Sequence, residues 1–192
     1  MHPDRIFTYG ISTIHESDIQ YAREKNVKIK LVAQVVKISD SQFTMFVMPE
    51  FVRPSRYIYS VDDEYNGVVI RGECYDRQFM FGKGAGSLPT ASSILSDIMA
   101  RQHNYRYEYK KLSFNDRPNY STDVTLKIYI RYCETDIPSI LDFISIDEQF
   151  ISTSNRYIIG HILLSELINK RSLLAGKDVF IANIPIFFRD KE

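Results

Sequence analysis

The sequence predicts an α+β protein made of two units, and three features of the chain support this class. Apolar residues recur at strand spacing in some segments and at helix spacing in others. The chain contains 13 tyrosines and 12 phenylalanines, which is typical of abundant β-strand because aromatic side chains pack well on a pleated surface. A polar stretch with many turn-forming residues separates two regular regions. We therefore expect a first unit at 1–105, a linker at 106–120 and a second unit at 121–192.

The first unit is predicted to contain two helices and four strands. Ser17, as a plausible N-cap, and Gln20 form a capping-box pattern, which predicts a helix that runs to about Lys25, with Asn26 suited to a left-handed cap. The predicted strands are Lys28 to Ile38, Gln42 to Met48, Gly67 to Glu73 and Arg77 to Gly82. In the first of these strands the apolar residues at period two are Ile29, Leu31, Ala33 and Val35. A glycine-rich turn follows the last strand, and Pro89 begins a second helix that runs to about Arg101.

The second unit is predicted to have the element order β-α-β-β-α-β. The apolar residues of its first strand, at period two, are Val124, Leu126, Ile128, Ile130 and Tyr132. The first helix has Pro138 in its first turn, and its apolar residues are Ile137, Ile140, Leu141 and Ile144. The remaining elements are a hairpin of Gln149 to Asn155 and Arg156 to Leu163, a helix carrying Leu164, Leu167, Ile168 and Leu174, and a last strand from Asp178 to Phe187. This order predicts a ferredoxin-like arrangement.

Composition and charge exclude several classes of protein. The chain carries 24 Lys and Arg against 24 Asp and Glu, so no global field attracts nucleic acid or an anionic membrane. No apolar run approaches the roughly 18 to 20 residues of a membrane span, and the first residues lack a signal-peptide pattern. Cys74 and Cys133 have no metal-ligand spacing, so we expect reduced thiols, with a disulfide between them as the alternative. These features predict a cytoplasmic protein with neither a nucleic-acid nor a membrane partner.

The densest functional signal is the segment from Phe81 to Ser92, in which a predicted strand leads through glycines into a predicted helix. Gly84 and Gly86 tolerate positive φ and let a ligand approach the backbone. The free N–H groups of the helix start favour an anion or a polar cofactor edge. Neither a phosphate-binding loop nor a dinucleotide fingerprint fits the spacing, so the segment is either a tight turn or a ligand site. Lys83 either pairs with a phosphate or carboxylate, or points into solvent.

Other candidate sites carry weaker signals. The four histidines show no paired spacing that suits a metal, and no nucleophile set can be proposed from spacing. We therefore predict no metal site and no catalytic residue in this sequence. The acidic run 62–64 precedes Asn66 and Gly67, which indicates a turn rather than a metal site. The run 103–111, rich in tyrosine, lysine and arginine, is predicted to be a solvated linker, with a single-strand nucleic-acid surface as the alternative.

Several segments carry a pattern that resembles the carboxyl-terminal part of homoserine dehydrogenase catalytic domains. Asn66-Gly67-Val68 is similar to the family's N-A-V strand, and Gly82 to Asp97 is similar to its G-x-G-A-G-x-x-P-T-A-S-A-V-x-x-D turn and helix. The segments beginning at Tyr9, Asp18 and Ile29 are similar to the family's E-G-I-x-x-I, D-I-x-x-A and I-K-L elements. The resemblance covers roughly residues 6 to 100.

The resemblance implies a mixed sheet with helices, and an enzyme that interconverts aspartate semialdehyde and homoserine with NAD or NADP in amino-acid biosynthesis. It implies that Gly84, Ala85 and Gly86 bind the cofactor and that the next helix packs onto a Rossmann domain. The family's nucleotide fingerprint, substrate-binding acid and catalytic lysine lie upstream of its E-G-I element. The resemblance therefore implies that the 192-residue chain lacks them and is inactive alone. Two departures are Tyr9 in place of the family's glutamate and Tyr57-Ile58-Tyr59 in place of P-L-A, where we expect the tyrosines to cover a surface that the missing half would bury.

The second unit resembles a degenerate ACT domain, a small amino-acid-sensing module. Asp136 to Leu141 is similar to that family's D-x-P-G-V-L, with serine in place of the glycine. The resemblance implies an amino-acid effector site at Asp136, Pro138 and Ser139, which the serine narrows, and edge-to-edge pairing into a homo-oligomer. Three functions stay open: a dehydrogenase portion completed by a separate Rossmann-domain subunit, a regulatory protein that senses an amino acid, and an oligomerisation scaffold.

Overall fold

A computed structural model describes residues 5–106, 118–134, 136–153 and 155–185. The helices and strands are, in chain order, β1 (Phe7–Thr8), α1 (Glu16–Glu24), β2 (Lys28–Lys37), β3 (Gln42–Val52), a 3₁₀ helix (Tyr57–Ser60), β4 (Tyr65–Gly72), β5 (Asp76–Lys83), α2 (Ser87–Gln102), β6 (Asn119–Tyr120), β7 (Thr125–Tyr132), α3 (Ile137–Ile140), β8 (Ser145–Ile151), β9 (Arg156–Leu163), α4 (Leu164–Asn169), α5 (Arg171–Leu174) and β10 (Val179–Asn183). Among the described residues, no helix is both long enough and apolar enough to cross a membrane.

The chain forms two compact units whose boundaries differ from the predicted ones. The terminal unit combines the described parts of 1–53 and 118–192, and the hairpin unit covers the described part of 54–117. Strand pairing explains the difference, because β10 runs parallel to β3 and meets it at Asn183 and Glu50. Part of the predicted linker is also a strand, since β6 pairs with the start of β3. The rest of the predicted linker includes 107–117, which lie outside the described residues.

One mixed sheet of eight strands organises the terminal unit, which confirms the α+β class. β3 pairs antiparallel with β2 along its whole length on one edge. On its other edge β3 pairs in parallel with three short strands, β6, β1 and β10, each at a different position. The remaining strands continue antiparallel in the order β10-β7-β9-β8. This is the strand order expected for the predicted β-α-β-β-α-β arrangement.

The core of the terminal unit lies on both faces of this sheet. On one face the strands pack against α3, α4 and α5, and the fully buried residues there include Ile128, Ile130, Ile137, Ile158, Ile162, Leu164, Leu167 and Ile181. On the other face α1 covers an aromatic cluster made of Tyr21, Phe51, Tyr129, Tyr157 and Phe180. Residues from both ends of the chain therefore share each core, which is why the two ends form one unit.

Two predicted boundaries in the amino-terminal part are wrong. The predicted N-cap is Ser17, but α1 begins earlier because the His15 backbone N–H donates to the Asp18 carboxylate at 2.8 Å. The second strand was expected to end at proline, but β3 continues through Pro49 to Val52. Pro49 lies between the residues of β3 that pair with β1 and the residue that pairs with β10. Neither β1 nor β10 therefore loses a hydrogen bond because proline has no N–H.

The first helix and the hairpin of the second predicted unit also differ from expectation. The sequence predicts a helix through Ile144 and a strand from Gln149, whereas α3 is a single turn and β8 already begins at Ser145. The Ile144 backbone N–H donates to the His161 carbonyl at 2.8 Å, so pairing with β9 replaces the end of the helix. Ile144 is consequently exposed rather than packed on a helix face. The predicted last strand is β10, which ends at Asn183 rather than continuing through residues 184 and 185, and its expected end at Phe187 lies outside the described residues.

The hairpin unit consists of the 3₁₀ helix, the antiparallel β4–β5 hairpin and α2. Tyr57 stacks on Phe79 with ring centroids 5.5 Å apart, and Tyr65 stacks on Phe81 at 4.7 Å. Tyr57, expected to cover a surface towards a missing half, thus packs its ring against the hairpin of its own unit.

Candidate functional site

The glycine turn, Gly84–Gly86, joins β5 to α2 and has the strand–turn–helix geometry predicted from the sequence. Gly86 is the N-cap of α2, with φ 116° and ψ 161°, a region that only glycine adopts without strain. The backbone N–H and the hydroxyl of Thr90 both donate to the Gly86 carbonyl, at 3.2 and 2.8 Å, and fix the first helical turn. Because the first N–H groups of a helix have no intrahelical acceptor, the turn presents donors to a polar or anionic ligand.

Gly84 is held from two sides by residues of the hairpin. Its N–H donates to the Glu64 carbonyl at 3.3 Å. Asn66 lies opposite Gly82 in the hairpin register, and its amide covers Gly84. A Cβ built on Gly84 would overlap the amide nitrogen of Asn66 and lie 2.9 Å from its Cγ, whereas a Cβ on Gly82 meets nothing within 4 Å. The close neighbour of Gly84 is thus the end of the exposed Asn66 side chain, whereas Gly82 has no close neighbour.

Lys83 pairs with Glu64 of the same hairpin. Its Nζ lies 2.6 Å from the Glu64 carboxylate and 5.3 Å from the centroid of the Tyr65 ring. The hydrogen bond between Lys83 and Glu64 raises the pKa of Lys83 and lowers the pKa of Glu64. Both side chains are about half exposed. The two charges neutralise each other beside the turn. The groups that could attract a ligand there are therefore mainly the backbone N–H donors at the start of α2.

Helix α2, which follows the turn, exposes an apolar stripe. Its members lie within one arc of the helix surface and are each between 46% and 81% exposed: Leu88, Ile94, Leu95, Ile98 and Met99. A contiguous apolar stripe on a 16-residue helix is typical of a surface that binds another protein.

The predicted effector residues Asp136, Pro138 and Ser139 lie together at the start of α3 in the terminal unit. The Ser139 backbone N–H donates to the Asp136 carbonyl at 2.9 Å. Lys177 donates to the Asp136 carboxylate at 3.2 Å and also to Glu134, and these bonds raise the pKa of Lys177. The carboxylate predicted to meet an effector therefore already binds a lysine that lies 41 residues away in the sequence.

A buried ion pair in the terminal unit joins α1 to β7. Asp18 and Arg131 are 0% and 2% exposed, and the Arg131 Nε donates to Asp18 at 2.9 Å. The Tyr129 hydroxyl donates to the other Asp18 oxygen at 3.0 Å. The Arg131 guanidinium also donates to the Thr13 carbonyl at 2.7 Å and to Asp178 at 3.1 Å. Protein partners occupy both charged groups, so this pair has a structural role.

Tyr9 and Cys133 belong to the surroundings of this pair. The Tyr9 hydroxyl, at the position of the glutamate in the resembling family, donates to the Val179 carbonyl at 2.6 Å and so ties the start of the chain to β10. Both cysteines are free and exposed. The Cys133 thiol donates to Asp178 at 3.2 Å, and this bond together with burial raises the pKa of Cys133. Within the described ranges, no group of three or more His, Cys, Asp or Glu side chains could hold a metal ion.

Comparisons with known proteins agree on one family. The model of the family described as homoserine dehydrogenase matches residues 1–99. The chain is 32% identical over 97 residues to the homoserine dehydrogenase of Bacillus subtilis, and the matched segment covers 50% of this chain and 22% of that relative. It is 28% identical over 192 residues to the homoserine dehydrogenase of Lactococcus lactis, and the matched segment covers 93% of this chain and 45% of that relative.

Solved structures extend the similarity to almost the whole chain. A homoserine dehydrogenase from Thiobacillus denitrificans superposes with a TM-score of 0.65 and 25% identity, over 96% of this chain and 48% of that one. A Staphylococcus aureus homoserine dehydrogenase superposes with a TM-score of 0.57 at 20% identity, a likeness of fold alone. The chain thus spans less than half the length of the relatives it matches.

Proposed function

The chain belongs to the homoserine dehydrogenase family, and from that premise we propose that it forms one wall of a nicotinamide-dependent active site. In this proposal the glycine turn binds NAD or NADP, and the completed enzyme interconverts homoserine and aspartate semialdehyde. The observation that carries the proposal is the strand–turn–helix geometry of Gly84–Gly86, followed directly by an exposed apolar helix. The first feature suits a polar cofactor, and the second suits a protein domain that would cover it.

The described residues fit a bound cofactor at the turn. Gly86 places no side chain between the backbone and a ligand, and α2 contributes free N–H groups at its start. When bound, the nicotinamide ring would exchange the hydride with the substrate. This chain's residues hold and orient the cofactor, and the proton-transfer groups come from a completing nucleotide-binding domain. The 192-residue chain is then inactive by itself.

Reconstitution tests this function directly. The 192-residue chain is mixed with the nucleotide-binding amino-terminal half of the Bacillus subtilis relative, and homoserine-dependent reduction of NADP is followed by absorbance. We expect activity from the mixture and none from either part alone. A mixture without activity, under conditions in which the two parts bind each other, would contradict the proposal.

An amino-acid-sensing role is a second proposal, and the β10-β7-β9-β8 strand order favours it because small ACT-like modules are expected to have this arrangement. An effector at Asp136, Pro138 and Ser139 would have to displace Lys177 from the Asp136 carboxylate. Calorimetry against threonine, methionine and lysine tests the idea, with Lys177→Met expected to strengthen binding. Absence of heat across the amino-acid panel for both proteins would remove it.

A homo-oligomer is also proposed, with β8 as the contacting strand. In the described structure β8 pairs only with β9, so its other edge carries unpaired backbone groups. Three apolar side chains of β8 are also exposed: Ile146, Phe150 and Ile151. Light scattering coupled to size-exclusion chromatography measures the mass. A dimer that Phe150→Lys converts to a monomer supports pairing through β8, and a monomeric wild-type protein contradicts it.

A further inference from the structure

The edge strand β8 contains a β-bulge at Asp147. Between Ile146 and Glu148 the partner strand β9 advances by only one residue, so Asp147 is an extra residue without a partner in the ladder. A bulge of this kind bends its strand and increases the local twist. It divides β8 into a short paired segment at 145–146 and a longer one at 148–151.

The side chain of Asp147 holds the bulge in place through contacts that reach two strands away. Its carboxylate lies 2.5 Å from the Lys127 Nζ on β7 and 3.4 Å from the His161 Nδ1 on β9. The hydrogen bond from Lys127 lowers the pKa of Asp147, so the carboxylate is charged and paired at neutral pH. All three side chains are between 26% and 34% exposed. The extra residue is therefore anchored over the sheet and does not project from its open edge.

Gly160 on β9 makes room for the backbone next to the bulge. A Cβ built on this residue would lie 2.6 Å from the Ser145 carbonyl oxygen and 2.9 Å from the Phe143 ring. The first of these contacts is with backbone, which cannot rotate aside as a side chain can. The register shift, the ion pairs of Asp147 and this glycine are three separate features that fit one bulged conformation.

The position of the bulge bears on how β8 can pair with another chain. An open edge with apolar side chains pairs readily with a further strand, and a bulge is one of the devices that limit such pairing. β8 is the outermost strand on its side of the sheet, with β9 as its only partner among the described strands. A second copy that pairs antiparallel with β8 about a two-fold axis needs a regular backbone in both strands. The longest regular segment of β8 is 148–151.

We propose that the bulge at Asp147 is a built-in limit on self-association, which confines pairing between two copies of β8 to residues 148–151. The inference rests on the proposed homo-oligomer, because it names what sets the strength of that contact. Without the extra residue the regular ladder would run from Ser145 to Ile151, so each copy would offer two more residues for pairing. The bulge therefore permits a weak contact at this edge and prevents a strong one.

Deletion of Asp147 from the 192-residue chain tests the proposal, because it restores a continuous register and keeps every other side chain of β8. Sedimentation equilibrium measures the dissociation constant of the dimer. We expect the deletion to lower this constant by about tenfold or more, the effect of at least one added hydrogen bond. Deletion of Glu148 shortens the strand at the same point but keeps the Asp147 carboxylate, and it should give a similar gain. Circular dichroism shows which variants fold, and either deletion suffices for the test.

Two further variants separate the register from other causes. Asp147→Ala removes the same charge but keeps the extra residue, so it should leave the dissociation constant within about threefold of the wild-type value. Phe150→Lys, added to the deletion variant, should abolish the gain because it places a charge within the pairing segment.

The outcomes distinguish this inference from the proposed oligomer. A wild-type chain that is monomeric at every concentration contradicts the oligomer, whereas a dimer formed by a deletion variant still supports the limit set by the bulge. A folded deletion variant that associates no more tightly than the wild type overturns the inference. A gain that Asp147→Ala reproduces assigns the effect to charge and also overturns it, as does a gain that survives Phe150→Lys.

Discussion

Buried charges stabilise the terminal unit only as long as every partner is present. Asp18 and Arg131 lie 113 residues apart in the sequence and meet in the core, where each is almost completely removed from water. Burying an ion costs several kcal/mol, and the mutual attraction with extra hydrogen bonds offsets this cost. Tyr129, Thr13 and Asp178 supply those bonds. Removing one member of the pair therefore leaves the other as an uncompensated buried charge.

Asp18→Ala should lower the free energy of unfolding by about 3 kcal/mol, because Arg131 would stay buried with fewer acceptors. Urea denaturation followed by circular dichroism measures the change. Glu16→Ala is the matched control on the same helix, since Glu16 pairs with Arg23 at 3.8 Å and both side chains are at least 75% exposed. Such exposed pairs contribute about 0–1 kcal/mol. Equal effects of the two substitutions would contradict the structural role of the buried pair.

The glycines of the hairpin unit should differ in their tolerance of alanine. Gly86→Ala should destabilise by about 1–3 kcal/mol, because φ 116° with ψ 161° is open almost only to glycine. Gly82→Ala should be close to neutral, since its Cβ meets nothing within 4 Å. Gly84→Ala should cost less than Gly86→Ala, because its Cβ would meet only the exposed Asn66 side chain, whose amide can move aside. Denaturant unfolding of the four proteins measures the free energy of unfolding of each. An equal loss of stability in Gly82→Ala and Gly86→Ala would refute the expected difference.

The ion pair beside the glycine turn gives a prediction for pH. The Lys83 ammonium holds the pKa of Glu64 below its ordinary value of 4.5. A carboxyl group with a lowered pKa contributes its stabilisation above that ordinary value and loses it as the pH falls through the lower, folded-state pKa. Lys83→Met should raise the pKa of Glu64 towards its ordinary value, because the hydrogen bond from the ammonium is the main cause that lowers it. Carbon-detected NMR titration of the Glu64 carboxyl measures both values, and an identical pKa in the two proteins would contradict the pairing.

At the scale of elements, α2 is an amphipathic helix whose apolar side is not buried. Its apolar stripe has the spacing of a helix that packs on a partner, yet the stripe is exposed. A surface of this kind favours association, because burying apolar area releases free energy in proportion to the area removed from water.

Ile98→Asp should abolish binding of the nucleotide-binding half, because a carboxylate would then have to be buried in an apolar contact. Ser96→Asp places the same charge on the opposite side of α2 and should leave binding intact. Sedimentation velocity of the mixtures measures association. Both variants should fold like the wild type, since Ile98 is already 57% exposed. Binding that survives I98D would show that α2 is not the contact.

The sequence predicts elements well where the signal is local and fails where a distant segment decides. The glycine turn and α2 follow from adjacent glycines, Pro89 and helical spacing, and the structure has both. The Asn66–Gly84 contact would require the hairpin register, which the turn at 73–75 sets and periodicity alone does not. The pairing of Lys177 with Asp136 has no local signature, because nothing in either segment indicates that the two meet.

At the scale of the whole chain, the terminal unit is discontinuous in sequence. Its sheet places β3 beside β10, and its larger core combines Phe7, Phe46 and Met48 with strands β7, β9 and β10. Composition indicated a break near residue 110, but a change in composition does not show which segments share a core. The sheet pairing, a long-range property, sets the boundaries of the units.

The carboxyl-terminal fragment 118–192 should therefore not fold cooperatively by itself, although it contains β7 to β10. Without 1–53, Arg131 would lose Asp18, and the ring cluster of Tyr129, Tyr157 and Phe180 would lose the cover of α1. Adding the separate fragment 1–53 should restore a dispersed NMR spectrum and a single unfolding transition, because each core needs residues from both fragments. Fragment 54–117 is the control and should restore neither. If fragment 118–192 alone gave a dispersed spectrum and a sharp transition, the carboxyl-terminal part would be an independent domain, as the sequence predicts. The shared core would then be an interface between two domains that fold separately.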